Sequence, residues 1–225
     1  MNDSRTKNPV LLLVLAIGCI WGLAEALLGM FLRGSCAASV TGSLLTGMAI
    51  LFLSSALAIH RRKAGLFIIL GVVAMFKLLD AVLLDLPVRH GAIINPIFGI
   101  IMEVAAFALI FSVLKSKLTE TVHGQAVMGG LSALVAVNLF PLVKYFTGIP
   151  ACVLPGTVYP LSLYYAPIAV ALSMVSCPLG FSLGSRLAAS FQGEGFLSGY
   201  PALARVLPTV LIVASLTTFI LVRTL

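Results

Sequence analysis

Three carboxylates stand in stretches that are otherwise apolar: Glu25 in IWGLAEALLGM, Asp80 in VAMFKLLDAVLL and Glu103 in FGIIMEVAAFALIF. Lys77 precedes Asp80 by three residues, close to one helical turn. A charged side chain at the centre of a bilayer costs about 2.5 to 3.5 kcal/mol even on the permissive insertion scale, so ionisable residues in spans are read first as functional. The chain holds only seven acidic residues, and three of them are placed this way. The chemistry open to them is the binding of a small polar solute, conduction of an ion or proton, or charge pairing inside the membrane.

Each residue also has a bland reading. Glu25 can be satisfied by a hydrogen bond between helices, and Lys77 with Asp80 can be a structural ion pair within one helix. Asn95, Gly99 and Glu103 repeat at steps of four, on one face of a fourth segment. Asn95-Pro96 reads as that helix's start, with asparagine as cap and proline in the first turn. Counted by depth, Glu25, Lys77 and Glu103 fall near the middle or somewhat outward of it and Asp80 further out, with Asn138 on a fifth segment at a similar level. We expect Glu25, Lys77, Asp80, Asn95, Glu103 and Asn138 to line one polar pocket that opens to the outside. Three carboxylates against Lys77 favour a cationic ligand, a proton or a zwitterion, and Lys144 restores balance if it reaches inward.

The elements that position these residues follow from composition. The 225 residues are 60% hydrophobic and 9% charged, and mean hydropathy is +1.15. Soluble domains run near 45–50% apolar and about 25% charged. The chain therefore reads as an all-α, polytopic transmembrane helix bundle forming one integral membrane domain over residues 1–225. Apolar segments occupy about 9–32, 38–59, 64–86, 92–115, 125–147, 162–187 and 204–222, each long enough to cross a bilayer. The count is six to seven, because 148–187 can also be read as a re-entrant piece and one span. The first segment is too long for a signal peptide and reads as a retained helix. The DLPVRHG stretch makes a tight hairpin between the third and fourth segments, and TGIPACVLPGTVYPLS is a lid or a re-entrant loop.

Basic residues set the expected orientation. With a cytoplasmic N-terminus, Arg5, Lys7, Arg61, Arg62, Lys63, Lys115, Lys117, Arg186 and Arg205 fall inside, and Arg33, Arg89 and Arg223 outside. The formal charge of +7 is thus spent on topology, and nucleic acid is excluded as a partner. Cys36 and Cys152 then share the outer side, either as a disulfide or as two free thiols. No metal site or cofactor is expected, since His60, His90 and His123 fall in loops and no His/Cys cluster has ligand spacing. No catalytic residue is assigned, and the chain does not read as an enzyme.

Gly18, Gly22 and Ala26 form a small-residue stripe on the first segment, a packing motif that lets another helix approach. Short loops, an outward polar pocket and this stripe together resemble the substrate-binding S components of energy-coupling factor transporters. The resemblance is architectural and spans the whole chain. That family usually shows alanines at the stripe and six spans, where this chain has glycines and seven segments. The resemblance implies a prokaryotic inner-membrane protein that binds a solute for a coupling membrane subunit and separate ATPases. It also implies that Gly18, Gly22 and Ala26 dock that subunit. The competing expectations are an accessory subunit of a larger membrane complex and an ion or proton pathway.

Overall fold

A bilayer offers no partner to a bare amide, so apolar runs of 20 or more residues satisfy their backbone internally, as helices. A computed structural model describes residues 7–33, 38–191, 199 and 201–224. The helices are α1 (Lys7–Arg33), α2 (Ala38–His60), α3 (Ala64–Leu83), α4 (Gly91–Thr119), α5 (Val122–Leu139), α6 (Val143–Thr147), α7 (Leu161–Tyr164), α8 (Ala166–Phe191) and α9 (Pro201–Thr224). A short 3-10 turn, Phe140–Leu142, joins α5 to α6. Seven helices are long and apolar enough to cross a membrane, with α5 and α6 forming one of them over Val122–Thr147. The seven-span count holds, and the 148–160 stretch is a loop folded on itself through a bridge between Val153 and Pro160.

The bundle is organised around α2, which touches α1, α3, α4, α5 and α8. Its tightest seam is with α8. There Gly180 and Gly184 face the Leu51 and Ser55 carbonyls so closely that a Cβ at either would collide with them. The Ser55 hydroxyl donates across the seam to the Gly180 carbonyl at 3.0 Å, and Ser43 does the same to Tyr165 at 2.9 Å. Lipid tails are as apolar as leucine, so close backbone approach and interhelical hydrogen bonds replace the hydrophobic drive of soluble bundles.

The stripe on α1 serves the same purpose within the chain. A Cβ on Gly22 would stand 2.6 Å from the Phe76 ring, and one on Gly18 would stand 3.0 Å from Val72, both on α3. Ala26 is buried in a cluster with Cys19, Phe76 and Phe219. The expected docking face of Gly18, Gly22 and Ala26 is therefore covered by α3 and α9, and it is not a free surface for another subunit. The α9 helix packs on α1 and α3 from outside.

Replacing Gly180 by leucine should lower the thermal unfolding midpoint in detergent sharply, because overpacking a filled seam costs about 1–3 kcal/mol or more. Gly71→Leu, on an exposed face with nothing within 4 Å, should leave the midpoint nearly unchanged. Equal effects from the two substitutions would contradict the seam.

Candidate functional site

The α4 helix begins earlier than Asn95-Pro96 suggests. His90 caps it, its Nδ1 accepting the Ala92 N–H at 3.2 Å, and Pro96 lies inside the helix. His90 satisfies the role expected of Asn95, which is left one turn further in with its side chain released for other use. Asn95, Gly99 and Glu103 then follow on one face, and all three line a cavity of about 340 Å³.

Five of the seven spans line this cavity, all at the end of the bundle where α1 ends and α2 begins. The α1 helix gives Glu25 and Gly29, and α3 gives Lys77. The first two turns of α2 supply Thr41, Ser43, Leu45 and Thr46, while Ala136, Val137 and Phe140 close the α5 side. From the loop comes Cys152, from α7 Leu161 and Ser162, and from the link between α7 and α8 Tyr165. Cys152 is exposed and also lines the cavity, so the loop forms its outer rim as a lid would. It is a free thiol, and its proposed disulfide partner, Cys36, lies outside the described residues.

The charges on the wall form a group. Glu25 is 6% exposed and Lys77 4%, and both are engaged in polar or electrostatic contacts. Glu103 is close enough to Glu25 for their charges to interact, and the Thr46 side chain hydrogen-bonds it. Asn95 Oδ1 and Ser162 Oγ are buried without a hydrogen-bond partner. One helical step away from the polar residues, the walls turn dry. Trp21 precedes Glu25 by four, Val73 precedes Lys77 by four, Ile50 follows Thr46 by four and Phe107 follows Glu103 by four. All four are fully buried in one apolar cluster, one helical turn beyond the polar residues of the cavity.

Two residues expected at the site lie elsewhere. Asp80 is not on the cavity wall. Arg223, from the last turn of α9, donates from Nη2 to Asp80 Oδ2 at 3.1 Å. Its Nε also stands 2.7 Å from Oδ1, close but off the hydrogen-bond line. Lys77 Nζ is 3.7 Å from the same carboxylate, so Asp80 is held by two cations. Asn138 is exposed on the outer surface of α5, with its amide donating to the Leu134 carbonyl one turn back at 2.7 Å. Ala136 and Val137 line the cavity in its place. Lys144 is exposed as well and does not balance the site.

Sequence reasoning missed Arg223, Thr46 and Ser162. Arg223 was counted as an orientation signal at a terminus, where nothing local announces a partner in α3. A cue did exist for α2, whose opening SVTGSLLTG is richer in small polar residues than any other span start. The chain matches no protein-family model, no curated protein and no solved structure.

Arg223→Ala leaves the buried Asp80 carboxylate with Lys77 alone and should cost up to about 3–5 kcal/mol, the loss for a broken buried pair. Adding Asp80→Asn should recover much of that loss. Unfolding in detergent of the single and double variants measures this; strictly additive losses would show that the two side chains are not coupled.

Proposed function

We propose that this multi-pass membrane protein is a solute-uptake subunit, taking a small polar or cationic solute into the cavity between α1, α2, α3, α4, α5 and α7. The observation that carries the reading is convergence: Glu25, Lys77, Asn95 and Glu103 come from three helices to one partly enclosed space with apolar walls. A concave, mostly apolar site with a few convergent polar groups is the usual construction of a small-molecule pocket. The mostly apolar layer of Trp21, Ile50, Val73 and Phe107 beyond the cavity's polar residues favours a closed-ended binding site over a continuous ion or proton path. A path would need more polar groups through that layer than the lone buried Trp21 Nε1.

The cavity end is the outer one in this reading. Arg223 drops out of the count of orientation charges because Asp80 holds it, and exposed Lys144 takes its place beside Arg33 and Arg89. The nine basic residues at the opposite end still outnumber them and favour a cytoplasmic N-terminus. A prokaryotic inner membrane and an S-component role, with coupling subunit and ATPases supplied by other chains, are the corresponding proposals. Any coupling subunit would have to dock away from Gly18, Gly22 and Ala26, whose face α3 and α9 cover.

Protein purified from its native membrane should release a small molecule on denaturation, detectable by mass spectrometry. Glu103→Gln should lower its occupancy about tenfold, the loss of one well-placed charged contact. Asn138→Ala should leave occupancy unchanged. Equal occupancy in wild type and Glu103→Gln would remove the cavity from the binding role.

A further inference from the structure

We infer that the cavity selects a protonated amine: an organic monocation that carries N–H donors on an apolar body. The amine site presupposes the solute-binding role proposed for the cavity and specifies its ligand.

Charge comes first. Five ionisable side chains are grouped here, and Asp80 with Arg223 forms a pair that is neutral as a unit. Counted as formal charges, Glu25 and Glu103 then stand against Lys77 alone, one negative charge in excess. An excess charge held among mostly apolar walls is costly, so it favours uptake of a single positive charge. An anion is repelled, and a dication would be over-matched.

Hydrogen-bonding capacity narrows the class. Glu25 and Glu103 are acceptors, and Asn95 Oδ1 is a buried acceptor with no partner, as is the Ser162 hydroxyl oxygen. Leaving the Asn95 and Ser162 oxygens unmet costs about 1–3 kcal/mol each, and a ligand with N–H donors would meet them. A quaternary ammonium has none to give. A bare metal ion fits poorly, because no three His, Cys, Asp or Glu side chains are grouped among the described residues. Size and surface point the same way. A cavity of about 340 Å³ holds the equivalent of about eleven waters at ~30 Å³ each, far more than one desolvated ion needs. Leu45, Ile100 and Phe140 offer an apolar surface on which an organic body can rest.

Lys77 is the counter-charge that sets the count to one. Removing it should raise the excess to two and tighten a cation, whereas removing Glu103 should abolish the excess and loosen it. Damage to the fold would weaken both variants alike, so opposite signs identify charge as the cause.

The test uses the full chain in detergent and four probes of one size class, with affinities read by calorimetry or ligand-observed NMR: benzylamine, benzyltrimethylammonium, benzyl alcohol and phenylacetate. Benzylamine should bind at least about tenfold tighter than the other three. Lys77→Gln should tighten it about threefold or more, and Glu103→Gln should weaken it about tenfold. Benzyl alcohol or phenylacetate binding as tightly as benzylamine overturns the amine site but leaves a solute cavity. Equal binding of the quaternary probe overturns the requirement for N–H donors, and like-signed shifts in the two variants overturn the role of Lys77. If none of the four binds, the solute-binding role falls together with the amine site. The wild-type panel decides the ligand class by itself, so a variant that fails to fold does not shield the proposal.

Discussion

A charge carried on a membrane-spanning helix must be met by another charge, by hydrogen bonds or by a wet cavity, because the hydrocarbon around it supplies none of these. The bundle meets this demand in two ways on one stretch of α3. Asp80 is enclosed by Arg223 and Lys77, at 2.7 Å and 3.7 Å. Lys77, one turn earlier, also lines the cavity with Glu25 and Glu103. The first solution removes a charge from the lipid and gives it to another helix. The second gathers charges where water or a solute can reach them, and the cavity exists because these side chains cannot be packed against leucine.

Close packing elsewhere makes that cavity possible. At the α2–α8 seam the glycines at 180 and 184 let two backbones nearly touch, and at the α1–α3 seam Gly22 admits the Phe76 ring. Helices held this tightly along their inner length can diverge toward one end without losing their mutual register. The cavity lies where α2 carries Thr41, Ser43 and Thr46 in place of leucine and isoleucine. A Gly99 Cβ would meet Phe140 at 3.4 Å, so the α4–α5 contact stays close beside the cavity.

The spans were legible in the sequence because length and apolarity suffice to specify them, and all seven observed helices fall on the expected segments. Depth along the membrane was legible too, since rise per residue is fixed. What the sequence hid was azimuth. Ala136, Val137 and Asn138 share one depth, but each step turns the helix by about 100°. That rotation carries Asn138 to the outer surface while its two neighbours face the cavity. The α5 helix is apolar nearly all round, so no stripe marked its inner face. Asn95-Pro96 misled for a different reason: it satisfies a local capping rule, but His90 satisfies it earlier in the chain. Asp80 and Arg223 are 143 residues apart, beyond the reach of any local pattern.

The same ion pair accounts for α9. Only 17% of the residues in its span are buried, against 61% in α2, so packing alone constrains its position weakly. An apolar helix on an apolar surface in lipid can slide along its axis at little cost, because one set of dispersion contacts replaces another. Arg223 removes that freedom, since its guanidinium reaches both Asp80 oxygens and approaches the Ala26 carbonyl at 3.4 Å. A shift of one turn, about 5.4 Å, would break every one of these contacts and leave Asp80 with Lys77 alone. Lys77 would then be drawn toward Asp80 and away from Glu25 and Glu103. A helix that lines no part of the cavity thereby fixes how much positive charge the cavity contains.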